Sequence, residues 1–208
     1  TALVSSDPAV RRLAVAAAAD QSHLLSEIAG MLSKDPVPSV RRECAEALST
    51  FDHPSSELLE AALNDDDAAV REAAAFALGE ITAMNSVRKL LEVATDDGEQ
   101  SLVREAAVAA LGAIGDATAV PTLLELIVTG PPQVRRRCVP ALTVFDDSRI
   151  EPALRSAVED RNPMVREAAE MEHRSVANMV EILIRRYCDE AGIAIPEQSE
   201  LFPGNPHG

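Results

Sequence analysis

The sequence is poor in aromatic residues, which make up 2% of its 208 positions, with no Trp and a single Tyr at position 187. Ala and Leu must fill the interior instead, which suits helices that pack closely. Cysteine is scarce: Cys44, Cys138 and Cys188 form no C-x-x-C pair and no zinc-ligand spacing. We expect buried, reduced thiols and a reducing compartment, the cytoplasm. Positive charge is the third shortage, with 19 Lys and Arg against 34 Asp and Glu, a net charge of −15. That argues against general nucleic-acid binding, which needs cations to displace counterions, and suits solubility or a basic partner. No apolar run is long enough to span a membrane, and no signal-peptide pattern is present. No stretch alternates with a period of two, so strands are not expected.

Signs of chemistry are equally sparse. There is no Gly-rich phosphate loop, and no Ser is spaced to suggest a His and Asp partner. The histidines His23, His53, His173 and His207 form no i,i+3 or i,i+4 pair. No catalytic residue, metal ligand or cofactor is therefore assigned.

What is present is a repeat. The dipeptide Val-Arg recurs at Val10-Arg11, Val40-Arg41, Val70-Arg71, Val103-Arg104, Val134-Arg135 and Val165-Arg166, at intervals of 30, 30, 33, 31 and 31 residues. Four residues after each Val stands a small residue: Ala14, Cys44, Ala74, Ala107, Cys138 or Ala169. Eight after it stand Ala18, Leu48, Leu78, Leu111, Leu142 and His173. Eleven after it stand Gln21, Phe51, Ile81, Ile114, Phe145 and Val176. These positions share one face of an α-helix. Turns precede each anchor ("SSDPA", "KDPVPS", "NDDDAA", "DDGEQSL", "TGPPQ", "EDRNPM"), and the longest accounts for the 33-residue interval. Before each turn lies a second apolar-periodic stretch, such as "SELLEAAL" or "VRKLLEVA". Pro121 and Pro152 stand near two of their starts. Gly79 and Gly112, each in an "ALG", fall at core spacing and are expected to be packing glycines.

Each unit is thus helix, turn, helix in about 30 residues, too small to bury its own apolar face. Stacking solves this, and the expected fold is all-α: a right-handed α-solenoid of about six such repeats. The phrases "VREAAAFALGEI" and "GDATAVPTLLELI" resemble the short bacterial HEAT-like repeats of phycobilin lyases, over roughly residues 1–170. The resemblance implies an armadillo-like interaction scaffold, with bilin lyase or cofactor-chaperone activity as an alternative. HEAT-repeat hydroxylases hold iron with His-Glu dipeptides, and this chain has none. "TALVSSD" looks like the tail of a first helix, so we expect a trimmed chain or repeats missing upstream.

Two surfaces are singled out. Arg11, Arg41, Arg71, Arg104, Arg135 and Arg166 are expected to form a structural ladder with turn carboxylates such as Asp7, Asp35 and Asp67, and with those of the next repeat. The solvent-facing side of the Val-Arg helices, at +2, +5, +6 and +9 from each Val, is the candidate binding surface for another protein, a basic or amphipathic segment. It comprises Arg42, Glu46, Glu72, Phe76, Glu105, Val108, Arg136 and Val139.

The sixth repeat departs from the pattern at His173. Ser175 reads as an N-cap, with an apolar stripe from Val176 to Tyr187 and Gly192 as a stop. Three segments are expected: 1–173 as the solenoid, 174–192 as a capping or dimerisation helix, and 193–208 as a loose tail. Residues 164–193 also resemble the helices of ribbon-helix-helix proteins. That resemblance implies a dimeric, DNA-associated regulator, with Arg174 and Ser175 at a phosphate. The upstream segment that would be its DNA-reading strand, "EPALRSAVED", instead fits a helix.

Overall fold

Ala, Leu and Glu are the commonest residues of the chain, and these favour helix. In the computed structural model, which describes residues 2–18, 21–51, 55–172 and Tyr187, every regular element is helical. The Val-Arg helices are α1 (Pro8–Ala17), α3 (Pro38–Leu48), α5 (Ala68–Glu80), α7 (Ser101–Ile114) and α9 (Pro132–Leu142). The partner helices are α2 (Leu25–Lys34), α4 (Ser56–Ala62), α6 (Val87–Thr95), α8 (Val120–Thr129) and α10 (Ile150–Ala157). Residues 163–172, which include Val165-Arg166, are helical as well.

Local chemistry sets the starts and stops. The Asp7 and Asp67 side chains accept from the amides of Ala9 and Ala69, at 2.8 and 2.9 Å, and so cap α1 and α5. Pro8, Pro38 and Pro132 occupy first-turn positions, where a missing N–H costs little. Gly115, at φ 73°, ends α7 in the left-handed region. Thr82 stands at the matching place after α5 with φ 47°.

The fold is an all-α solenoid of stacked helix pairs. Helices α1, α3, α5, α7 and α9 pack successively into one tight layer, and α3, α5, α7 and α9 each also pack against the partner helix that precedes them. The partner helices touch one another only lightly. One link across that second layer is the buried Ser86 hydroxyl, which donates to Glu60 Oε1 at 2.7 Å. The anchors Val40, Val70, Val103, Val134 and Val165 are fully or almost fully buried, as are Cys44, Ala74, Ala107, Cys138 and Ala169 four residues on. Val10 is 39% exposed. Gly79 and Gly112 explain the tightness of the layer. A Cβ on either would come within 2.8 Å of the Cα of Ala110 or Ala141 on the next helix.

The chain divides into two compact units, Thr1–Ala169 and Glu170–Gly208. In the second, residues 170–172 and Tyr187 are helical. Apart from Tyr187, the expected helix over 174–192, the tail over 193–208, Arg174, Ser175, and most of the stretch resembling ribbon-helix-helix proteins lie outside the described residues. The segment that would supply the DNA-reading strand is α10, a helix, because its apolar residues repeat every three to four positions.

Candidate protein-binding surface

Arginine at the second position of each anchor does a structural job at most levels of the stack. Arg11 donates through Nε and Nη2 to the two carboxylate oxygens of Asp35, at 2.7 and 2.9 Å, and through Nη1 to the Ser5 carbonyl at 2.8 Å. Arg41 repeats this with Asp65 at 2.7 Å twice and the Asp35 carbonyl at 2.9 Å. Arg71 does so with Glu99 at 2.6 and 2.7 Å and the Asp65 carbonyl at 2.7 Å. Arg135 does so with Asp160 at 2.9 and 2.8 Å and the Gly130 carbonyl at 2.8 Å. Each guanidinium therefore ties its own turn to the turn of the next repeat, in the fork geometry that suits a carboxylate. The carboxylates are held as anions: the hydrogen bonds from their arginines push Asp35, Asp65, Glu99 and Asp160 below the usual carboxylate range. Asp7 and Asp67, expected among the partners, spend their side chains as helix caps instead.

One rung is missing. The turn after α8 carries Gly130 where the others carry an acid, so Arg104 has no carboxylate in the next repeat. It turns back to the Ala94 carbonyl at 3.0 Å and Asp97 at 2.9 Å. At the other end Arg166 bonds the Asp160 carbonyl at 2.8 Å.

The open side of the tight layer carries a groove of about 530 Å³ that crosses α3, α5, α7 and α9. Of the expected surface residues, Arg42, Glu46, Glu72, Phe76, Glu105 and Arg136 line it. Phe76 is 56% exposed and Leu102 58%. Val108 and Val139 do not belong to it: both are fully buried. Position +5 faces the neighbouring Val-Arg helix, and the layer is so tight that this flank joins the core. Ala73, Leu102, Ala106, Ala109 and Arg137 were missed, although positions −1 and +6 adjoin +2 on the helix surface and +3 adjoins both of those.

Charge in the groove is unevenly paired. Arg42 bonds Glu46 one turn away at 2.8 Å. Glu72 has no hydrogen-bond or ion-pair partner among the described residues. Glu105 is buried, and its Oε1 accepts from both Arg136 and Arg137, the latter at 3.0 Å. Cys44 and Cys138 lie behind the groove in the core, where burial pushes both thiols up to about 12. His23 is exposed, while His53, His173 and His207 fall outside the described residues. Among the described residues no three of His, Cys, Asp and Glu converge as a metal site would require, and no helix is long and apolar enough to cross a membrane.

The family of HEAT repeats matches residues 1–78 and again 55–137. The chain belongs to the HEAT-repeat family. Several solved structures resemble it in fold. The Escherichia coli protein YIBA_ECOLI is 21% identical, with 88% of this chain and 72% of that one covered, at a TM-score of 0.61. An engineered protein is 21% identical over 81% of this chain and 93% of its own, at a TM-score of 0.59. A designed armadillo repeat protein, solved in complex with the peptide (KR)4, is 17% identical over 81% of this chain and 93% of its own, at a TM-score of 0.55. These likenesses show a shared fold. No curated protein matches the sequence.

Proposed function

We propose that this HEAT-repeat protein is a non-catalytic scaffold that holds a basic or amphipathic segment of another protein in the groove across α3, α5, α7 and α9. The observation that carries this reading is the pair of exposed apolar side chains, Phe76 and Leu102, in one groove with the unpaired Glu72. An apolar patch rimmed by charge is the usual mark of a recognition surface. The designed armadillo neighbour, which holds an alternating Lys-Arg peptide, supports it by analogy of fold. The net charge of −15 favours encounter with a basic segment.

The test is a titration of a dye-labelled alternating Lys-Arg octapeptide at low salt, read by fluorescence anisotropy. Phe76→Ser and Glu72→Gln change exposed or half-exposed side chains and should leave stability almost untouched. Each is expected to weaken binding at least about fivefold, or ~1 kcal/mol. Equal affinity of both variants and the wild type would remove the groove from the binding surface.

A further inference from the structure

Along the groove, the sign of the unpaired charge changes. On α5, Glu72 has no cation among the described residues, and Phe76 stands one turn further along the same helix. On α9, two guanidiniums converge on a single oxygen of Glu105, which leaves one positive charge in surplus. The Nε of Arg137 is buried and finds no acceptor. The Arg136 and Arg137 side chains are 39% and 41% exposed, so a carboxylate from outside can reach their terminal nitrogens and meet the surplus cation. Leu102 stands on α7, between these two poles.

We propose that the groove binds an extended partner segment carrying a Lys or Arg at Glu72, an apolar side chain at Phe76 and Leu102, and an Asp or Glu at Arg136 and Arg137. This rests on the groove being the binding face. Spacing follows from the stack. Neighbouring helix axes lie about 8–10 Å apart, so α5 and α9 are separated by roughly 20 Å. An extended chain rises about 3.3 Å per residue, so the basic and acidic residues are about six apart. A cation at Glu72 also lies within reach of the Phe76 ring, which attracts it further. The two poles fix polarity as well: a segment laid in reverse puts like charges together at both ends.

The experiment uses acetylated, amidated, dye-labelled heptapeptides on the full chain. One is Lys-Ala-Leu-Ala-Leu-Ala-Glu, whose Lys, Leu and Glu side chains share one face of an extended chain, and a second is its reverse sequence. A third and fourth replace the Glu by Gln in each order. The alternating Lys-Arg octapeptide is the control. One of the two Glu peptides is expected to bind at least about tenfold tighter than its Gln counterpart, the equivalent of one charge-assisted contact. Arg137→Gln is expected to erase that difference, and Arg137→Lys to keep part of it. The comparison of Glu with Gln peptides on the wild-type chain needs no variant, so a folding defect in Arg137→Gln would not obscure it. Equal binding of Glu and Gln peptides in both orders overturns the acidic subsite. If the Lys-Arg octapeptide still binds and Phe76→Ser still weakens it, the groove reading survives that result. If no peptide binds, the octapeptide included, both fall.

Discussion

Thr82 holds a backbone conformation that costs a β-branched residue dearly. Its φ of 47° lies in the left-handed region, where Gly115 serves the equivalent turn one repeat later. Thr82→Gly should therefore stabilise the protein by about 1 kcal/mol, visible as a higher urea midpoint at unchanged slope. Gly79 makes the opposite case. A methyl there meets the Cα of Ala110, which is backbone and has no rotamer to escape into. Gly79→Ala should cost about 1–3 kcal/mol although alanine is the better helix former, and the same midpoint will show it. The buried thiols give a third check. In a Cys188→Ser background, Cys44 and Cys138 should resist an aromatic disulfide reagent at pH 8, because burial pushes both up to about 12. Rapid labelling of the folded chain would contradict their placement.

At the level of helices, the ladder converts a loose stack into a clasped one. Arg135 is 1% exposed, and its partner Asp160 bridges to the turn before residues 163–172. Removing the guanidinium strands a carboxylate in a mostly dry site. Arg135→Gln is expected to cost about 3 kcal/mol in chemical denaturation, well above the median for an exposed pair such as Arg155–Glu151. The helix pairs were legible in the sequence because each repeat restates the same spacing, and six Val-Arg anchors leave little room for another reading. The ladder was legible in kind, since an arginine at a fixed place beside acid-rich turns invites pairing. Its partners were less so: Asp7 and Asp67 stand at the N-caps and cap α1 and α5, while Asp35 and Asp65, just after the preceding helix, accept both from an amide two residues on and from the arginine. The groove was legible at Glu72 and Phe76 and misplaced at Val108 and Val139. A periodicity argument assumes one buried face per helix. In this layer α3, α5 and α7 are each covered by a partner and by two neighbours, so their flanks are core and only a narrow strip remains open. Arg104 could be foreseen only by noticing that Gly130 stands where its acceptor should be.

Taken as a whole molecule, the solenoid should be acid-sensitive. The arginines lower the proton affinity of Asp35, Asp65, Glu99 and Asp160 in the folded state. The unfolded chain then binds more protons as pH falls. Their contribution is complete above about pH 5 and is lost progressively below about pH 4. The high net negative charge acts in the other direction, because acid relieves its self-repulsion. Thermal melts between pH 6 and pH 3 should show the first effect dominating, with the transition falling below pH 4. A transition that rises on acidification would mean that the clasps contribute little.

The ladder has one more consequence, for chain length. The acceptor that Arg11 finds in Asp35 is repeated for Arg41 in Asp65, with the same forked geometry. Between Arg11 and Arg71, an internal duplication or loss of one whole unit would hand each arginine an equivalent acid and leave the joints intact. A change of half a unit would leave cations and acids facing the wrong neighbours. The pattern that clasps the stack thus also works as a ruler: this protein can grow or shrink in steps of about thirty residues, and resists doing so by any other amount.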